Sequence, residues 1–158
     1  MTIAEPSQCL SLDDACLQLR GLMSGETDLI ANAANFTALL NAQFTDINWL
    51  GFYFLQENEL VLGPFQGQPA CVRIPVGKGV CGTAIAQLQT QVVPDVLGFE
   101  GHIACDARSR SEVVVPLMAA SGPLGVLDVD SPLVDRFSPD DVHYIETMAS
   151  LFMQLQFG

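Results

Sequence analysis

The chain has 158 residues, of which 49% are hydrophobic and 15% charged, so it can bury a core of its own and is not a disordered protein. Lysine and arginine total 6 against 18 aspartates and glutamates, which gives a formal net charge of −12. Such a charge repels phosphate backbones and anionic lipid surfaces, which argues against nucleic-acid binding and membrane-surface roles.

The sequence also bears on where the protein works. It contains no apolar stretch as long as a membrane-spanning helix, and residues 1–10 lack the basic and apolar segments of a signal peptide. We therefore expect a cytoplasmic protein. The cysteines number 5, and an odd number in a domain of this size argues against a structural disulfide framework. They are interpreted as core thiols, metal ligands or redox-active groups.

Helical periodicity comes first in the chain. Apolar residues recur every three or four positions over residues 11–23 and again over 28–43, which predicts two helices. From residue 48 the composition changes to aromatic and β-branched residues, which predicts strands over 48–56, 59–63 and 70–74. These strands are expected to pair as an antiparallel meander.

The middle of the chain alternates short elements with a long loop. A short helix is predicted over 80–88, behind a glycine-rich segment, and a small strand over 91–93. Residues 94–111 show no clear periodicity, and loops of that length inside a folded domain are usually functional or disordered. Strands over 112–118 and 124–131 then form a predicted hairpin.

The last predicted element is a helix over 138–157 with a well-marked start. Ser138 is the predicted N-cap, Pro139 occupies the first helical position, and Asp140 and Asp141 favour the positive end of the helix dipole. The element order predicts an α+β fold. In it, a central antiparallel sheet carries helices on one face and a loop-covered pocket on the other.

Two cysteines lie where their surroundings favour reactivity. Cys81 begins the short helix behind Lys78, and both the helix N-terminus and the lysine would stabilise a thiolate. Cys105 lies in the long loop. Its sequence neighbours that carry or can gain a positive charge are His102, Arg108 and Arg110. From these residues alone, redox or nucleophilic cysteines and scattered core thiols are equally open interpretations.

The other thiols carry less information. Cys16 lies on the apolar stripe of the first helix and is interpreted as a small buried hydrophobe, whereas Cys9 is expected to be exposed. No two cysteines have the CxxC spacing of a zinc site or of a thioredoxin-type centre, so no metal site is predicted.

Acidic residues form a second candidate group. Asp128 and Asp130 are two apart on a predicted strand and point to one face, while Leu127 and Val129 point to the other. Glu112 opens the partner strand of the hairpin and can join them. A solvated outer face of the sheet is one interpretation. The other is a crowded group that binds a cation or keeps one carboxyl protonated.

Trp49 and Tyr53 are a third candidate group. They are four apart on a predicted strand and share a face, and the sequence has a single tryptophan. Core packing and the wall of a ligand pocket are both compatible with this placement.

Taken together, segments over residues 48–131 resemble those of the free methionine-(R)-sulfoxide reductases, a family of enzymes with a GAF fold. The segments, in the family's order, are Asn48-Trp49-Leu50-Gly51-Phe52-Tyr53, Gly63-Pro64-Phe65-Gln66-Gly67, Gly77-Lys78-Gly79-Val80-Cys81-Gly82, Val93-Pro94-Asp95-Val96, Gly101-His102-Ile103-Ala104-Cys105-Asp106, Ser111-Glu112-Val113-Val114-Val115-Pro116 and Leu124-Gly125-Val126-Leu127-Asp128-Val129-Asp130-Ser131. The resemblance implies a single GAF-like domain over 1–158, with helices over 11–43, the sheet and active-site loops over 48–131 and a final helix over 138–157.

The resemblance also implies an activity, the reduction of free L-methionine-R-sulfoxide, and not of the peptide-bound residue, to methionine. Carried over residue by residue, Cys105 is similar to the nucleophile that attacks the sulfoxide sulfur and becomes a sulfenic acid. Cys71 is similar to the resolving thiol that condenses with it into a disulfide, and Cys81 to a third thiol able to exchange disulfides. Thioredoxin would then reduce the disulfide, with no cofactor bound to the enzyme, and a homodimer is expected.

In that family the substrate lies beneath the long loop. Trp49 and Tyr53 are similar to its aromatic wall. The residues similar to its acids are Glu112, Asp128 and Asp130, of which Glu112 and Asp130 are also expected to be catalytic. The residues themselves support this, because a sulfoxide oxygen must be protonated to leave and a free amino acid brings an ammonium for the other carboxylates. Burying the acids without that cation would be costly, which favours the free amino acid over a peptide.

Two other classes of protein compete with this interpretation. The first is a GAF sensor or chromophore module, although no cofactor-attachment signature is evident. The second is a purely structural protein with inert thiols. The sequence leaves open which of Cys71 and Cys81 resolves the sulfenic acid, and which carboxyl donates the proton.

Overall fold

The computed structural model describes residues 9–158, which contain four α-helices and six strands joined by loops. The helices are α1 (Leu12–Leu22), α2 (Leu29–Asn41), α3 (Gly79–Gln87) and α4 (Pro139–Phe157). The strands are β1 (Trp49–Gln56), β2 (Glu59–Gly67), β3 (Arg73–Pro75), β4 (Gln91–Val93), β5 (Ser111–Ala119) and β6 (Gly122–Ser131). Each helix begins and ends within two residues of its predicted bounds. Among the described helices, none combines the length and apolar composition needed to cross a lipid bilayer.

Side-chain caps set the starts of two of the helices that cover the sheet. The Asp28 carboxylate accepts a hydrogen bond from the Ala31 backbone N–H at 2.8 Å, where α2 begins. At the start of α4, Ser138 and Asp141 exchange side-chain and backbone hydrogen bonds as a capping box. Arg136 donates to the same Asp141 carboxylate at 2.9 Å, which fixes the chain as it enters the helix.

All six strands form one antiparallel sheet in the order β3-β2-β1-β6-β5-β4. The predicted central antiparallel sheet is therefore confirmed. The pairing of β5 with β6 sets Glu112 opposite Asp130, and the pairing of β1 with β6 sets Trp49 opposite the same Asp130. The three central strands thus bring the predicted acids and aromatics into neighbouring positions.

Side chains alternate between two cores, one on each face of the sheet. Leu127 and Val129 of β6 join Phe52 of β1 and Phe152 of α4 in the larger core, beneath α1, α2 and α4. Val126 of β6 belongs to the smaller core on the opposite face, with residues of α3 and the loops. The prediction of helices on one face and a pocket on the other is confirmed for the three longer helices. The short helix α3 lies on the pocket face, because its apolar residues pack against β5 and β6 there.

The second and third strands differ from their predicted lengths. β2 continues through Pro64 to Gly67, because a bulge in its pairing between Gly51 and Tyr53 of β1 leaves the proline without a ladder partner. The prediction of a strand over 70–74 is wrong for its first half, since β3 covers only Arg73–Pro75. Residues 70–72 lie in the preceding loop, which puts Cys71 over the pocket face.

We expect Gly125→Ala to destabilise the protein strongly. A Cβ atom at Gly125 in β6 would overlap the Tyr53 carbonyl oxygen of β1 and lie 2.9 Å from the Phe54 Cα atom. Because backbone atoms of a central strand cannot move cheaply, the free energy of unfolding, measured by urea denaturation, should fall by about 2 kcal/mol or more.

The matched control for this change is Gly21→Ala in α1, where nothing lies within 4 Å of the added Cβ atom. Alanine has the higher helix propensity, so this variant should be neutral or more stable by up to about 1 kcal/mol. Equal stabilities of the two variants would contradict the close approach of β1 and β6 at Gly125.

Candidate active site

The pocket face of the sheet, α3 and the long loop enclose a cavity. Seven of the eight residues that the sequence predicted for the site line it: Trp49, Tyr53, Cys81, Cys105, Glu112, Asp128 and Asp130. The eighth, Cys71, is bonded to Cys105 at the edge of the cavity. The structure thus brings together residues from β1, α3, β5, β6 and two loops.

Cys71 and Cys105 form a disulfide, with their Cα atoms 5.4 Å apart and a separation of 34 positions in the sequence. Both residues are half-buried, so the bond lies within reach of another molecule. Cys9, Cys16 and Cys81 are free thiols, and of these Cys81 alone lines the cavity. The pair that the family resemblance implied is therefore present as a bond, in loops that a thiol partner can reach.

Cys81 lies at the start of α3 and is only 4% exposed. Its Sγ atom is 4.0 Å from the Glu112 Oε1 atom. Burial, followed by the nearby carboxyls of Asp128 and Glu112, raises the pKa of this thiol well above its ordinary value. The prediction that the helix N-terminus and Lys78 favour a thiolate at this position is therefore wrong, because desolvation and the acids outweigh them.

The arginines near Cys105 in sequence are paired with carboxylates. Arg108 donates to Asp106 at 2.9 Å, and Arg110 donates to Asp95 at 3.1 Å. The hydrogen bond from Arg108, against the opposing effect of burial, lowers the pKa of Asp106 to about 2. Of the three residues that the sequence predicted around Cys105, His102 is the one that lines the cavity. The two arginines instead form ion pairs that organise the loop.

Asn48 connects β1 to the loop that carries Cys105. Its Nδ2 atom donates to Asp106 at 3.1 Å and to Ser109 at 3.0 Å. No pattern in the sequence predicted a role in the site for these three residues, although Asp106 directly follows Cys105. The missing information was the long-range contact, since nothing in the local pattern places Asn48 next to residues 58 and 61 positions away.

The three predicted acids are buried together. Glu112, Asp128 and Asp130 are 7%, 6% and 8% exposed, so the interpretation as a solvated outer face is excluded. Burial is the largest cause that raises the pKa of each of the three carboxyls, and repulsion between neighbouring acids adds to it at Asp128 and Asp130. The Oδ1 atoms of Asp128 and Asp130 accept no hydrogen bond from any of residues 9–158. The cluster is therefore suited to accept a cation or to keep a carboxyl protonated.

The aromatic pair serves both roles that the sequence left open. The rings of Trp49 and Tyr53 stack with their centroids 5.7 Å apart. The rings of Trp49 and Phe65 also stack, with their centroids 5.2 Å apart. Both residues also line the cavity. The Tyr53 hydroxyl donates to the Cys71 carbonyl at 2.8 Å and the Trp49 indole N–H to the Gln68 carbonyl at 3.1 Å, so the aromatic wall also holds the Cys71 loop.

A set of potential metal ligands is present within the same cavity. Cys81, Glu112 and Asp128 place one donor atom each within 4.8 Å of one another. The sequence predicted no metal site, because these residues come from α3, β5 and β6 and have no ligand spacing along the chain.

Comparison with known proteins places this architecture in a family. A family model described as a GAF domain matches residues 30–155, so the fold and its buried pocket define a GAF domain. A free methionine-R-sulfoxide reductase of Escherichia coli is 58% identical over 120 residues, which are 76% of this chain and 73% of the relative. One from Saccharomyces cerevisiae is 43% identical over 148 residues, covering 89% of this chain and 82% of the relative.

A solved structure extends the comparison to nearly the whole chain. The free methionine-R-sulfoxide reductase of Staphylococcus aureus, in complex with its substrate, superposes with a TM-score of 0.87 and 46% identity over 99% of each chain. The chain therefore belongs to the free methionine-R-sulfoxide reductase family of GAF-domain proteins.

We expect Asp128→Asn to stabilise the protein at neutral and alkaline pH. Burial raises the pKa of Asp128 in the folded chain, so the folded state carries no penalty below the unfolded carboxyl pKa of about 3.9 and an increasing penalty as the pH rises above it. The melting temperature of the variant should exceed that of the wild type by about 3 °C or more at pH 8, and the difference should vanish towards pH 4.

Asp46→Asn is the control for this change. Asp46 is exposed and has a φ of 59°, a conformation that asparagine also tolerates, so its replacement should leave the melting temperature unchanged at every pH. A stabilisation of Asp128→Asn that is absent, or equal at pH 4 and pH 8, would show that this carboxyl does not carry the predicted cost.

Proposed function

We propose that this protein reduces free L-methionine-R-sulfoxide to L-methionine, with Cys105 as the nucleophile and thioredoxin as the reductant. The observation that carries the proposal is a single cavity that joins the Cys71–Cys105 pair to buried acids with unpartnered oxygens. Membership of the reductase family supports the same conclusion. The reaction takes two electrons from the enzyme's thiols and none from a bound cofactor.

The proposed reaction proceeds in three steps. The Cys105 thiol attacks the sulfoxide sulfur, and the oxygen is transferred to give a Cys105 sulfenic acid and methionine. The Cys71 thiol then displaces that oxygen as water and forms the Cys71–Cys105 disulfide. Finally a thioredoxin dithiol is oxidised as it reduces this disulfide. Because both half-cystines are half-buried and Val72 is exposed beside them, the incoming thiol can reach the bond.

The first step needs an acid next to the sulfoxide oxygen. Breaking the S–O bond leaves a poor leaving group unless that oxygen gains a proton. Burial raises the pKa values of Glu112 and Asp130, and repulsion from Glu112 adds to this at Asp130, so the buried cluster favours a protonated carboxyl that can donate. Asp128, with its unpartnered Oδ1 atom, is then proposed to bind the substrate ammonium.

The same acids give a physical basis for acting on the free amino acid. An ammonium group offers three donors and a positive charge to acceptor oxygens that have no partner in the cavity. A peptide-bound or N-acylated methionine sulfoxide has no such charge, and the buried carboxylates would stay uncompensated. The charge of the substrate therefore contributes directly to its selection.

The geometry favours Cys71 over Cys81 as the resolving thiol. Cys71 is already bonded to Cys105, whereas Cys81 is buried and its raised pKa leaves little thiolate for disulfide exchange. We further propose that the protein is cytoplasmic, where thioredoxin is available, and that it works as a homodimer.

The decisive measurement is NADPH consumption with thioredoxin and thioredoxin reductase. We expect turnover with free L-methionine-R-sulfoxide, and at least a 100-fold lower kcat/KM with the S epimer and with the N-acetylated R-sulfoxide, which corresponds to about 2.7 kcal/mol. Equal turnover of the free and N-acetylated forms would disprove ammonium recognition. No turnover with any of them by reduced protein would leave a ligand-sensing GAF domain as the better explanation.

Cysteine variants separate the two thiol roles. Cys105→Ser should release no methionine, whereas Cys71→Ser should release one methionine per enzyme and then stop, because the sulfenic acid forms but the disulfide does not. Quantifying methionine by mass spectrometry after single mixing distinguishes these outcomes. Cys16→Ser, which lies outside the cavity in α1, is the control and should turn over as the wild type does. Sustained turnover by Cys105→Ser would overturn the assignment of the nucleophile.

A further inference from the structure

One feature of the cavity is not used by the proposed reaction. Cys81 points its thiol at the acid cluster, 4.0 Å from the Glu112 Oε1 atom, and takes no part in the Cys71–Cys105 bond. Its Sγ atom, one Glu112 oxygen and one Asp128 oxygen all lie within 4.8 Å of one another. An ammonium ion needs only oxygen acceptors, so the substrate does not account for a sulfur at this position.

We propose that Cys81, Glu112 and Asp128 form a binding site for a thiophilic divalent cation of the Zn²⁺ class. A second observation points to a ligand here. The Asp128 Oδ1 atom is buried, has no hydrogen-bond partner within the described part of the chain and belongs to a side chain that lines the cavity. A buried carboxylate oxygen without a donor is costly, and a metal ion removes that cost.

The donor set selects the cation. One sulfur and two carboxylates match the ligands of zinc, whereas magnesium and calcium prefer sites made of oxygen alone. Donor atoms around tetrahedral zinc lie roughly 3.5 Å apart, so the three side chains need to approach one another by about an ångström or less. Binding breaks the Cys81 S–H bond and forms a sulfur–metal bond, and the proton passes to solvent.

The surroundings of the site favour a positive ion. Asp130 lines the same cavity and lies opposite Glu112 in the sheet, so its carboxyl group adds to the negative potential at the site. A water molecule in the cavity can complete a tetrahedral shell around the ion. The net charge of −12 further attracts cations to the protein.

This site overlaps the position that the proposed function assigns to the substrate ammonium, and its effect on activity rests on that proposal. A metal ion on Glu112 and Asp128 occupies the acids that would bind the ammonium and donate the proton. Zn²⁺ would therefore act as a competitive inhibitor of the reductase, and methionine would lower the affinity for the metal.

The test is a Co²⁺ titration of the protein with its Cys71–Cys105 disulfide intact, so that Cys81 is the one thiol facing the cavity. A cobalt–thiolate bond gives a charge-transfer band in the near ultraviolet, which is a readout independent of enzyme activity. We expect this band in the wild type and in a Cys9→Ser, Cys16→Ser double variant, which keeps the cavity thiol. Cys81→Ser should lose it, and excess Zn²⁺ but not Mg²⁺ should displace the cobalt.

A second variant protects the test against a misfolded Cys81→Ser protein. Asp128→Asn, checked by circular dichroism, should keep the thiol but weaken Co²⁺ binding at least tenfold, because it replaces a charged ligand by a neutral amide. A band that survives in Cys81→Ser, or an unchanged affinity in Asp128→Asn, would overturn the proposed site.

Adding free methionine separates this proposal from the proposed function. If both hold, methionine should raise the apparent Kd for Co²⁺ more than an equal concentration of glycine does, because glycine chelates free cobalt through the same amino and carboxylate groups. If methionine has no larger effect than glycine while Cys81→Ser still abolishes the band, the metal site stands and the substrate ammonium lies elsewhere. If wild type and Cys81→Ser bind cobalt alike, the metal site is wrong, and the reductase assay decides the function on its own.

Discussion

The burial of three neighbouring acidic groups is the constraint on which the rest of this structure depends. Glu112, Asp128 and Asp130 are all less than a tenth exposed, and two of their oxygens have no hydrogen-bond partner among the residues that the structure describes. Such a cluster opposes folding, so its free-energy cost must be met elsewhere. The opposite face of the sheet provides this, since α1, α2 and α4 bury a large apolar core against the same strands. One sheet thus separates the stabilising core from a pocket that is electrostatically unfavourable until a ligand enters.

Strand β1 and Asn48, the residue directly before it, connect that pocket to the disulfide loops through side-chain hydrogen bonds. The Tyr53 hydroxyl holds the Cys71 loop, and the Asn48 amide holds the Cys105 loop through Asp106. The two half-cystines, 34 positions apart, are therefore positioned by residues of one central strand and of the position directly before it. Because β1 also pairs with β6, the acids and the thiols share one rigid frame, which is what a reaction between a bound sulfoxide and a thiol requires.

The sequence predicted those features that follow from local periodicity. The period of two in a strand placed Asp128 and Asp130 on one face, and the hairpin placed Glu112 beside them, as the structure confirms. Long-range contacts were not predictable in this way. No pattern connects Asn48 to Asp106, and the ligand set around Cys81 comes from three separate elements. The prediction of a Cys81 thiolate was wrong for a related reason. The sequence shows that Cys81 lies at a helix N-terminus, but it does not show how deeply the thiol is buried.

The two cavity thiols differ because their elements place them differently with respect to water. Cys105 lies in a half-buried loop, where a substrate and then a protein reductant can approach it. Cys81 lies at the buried start of α3, where the acids that crowd it raise its pKa and suppress the thiolate. A positive ion bound there reverses that suppression, because it stabilises the thiolate and the carboxylates together. The same burial that makes Cys81 a poor partner for disulfide exchange therefore makes it a suitable ligand for a cation.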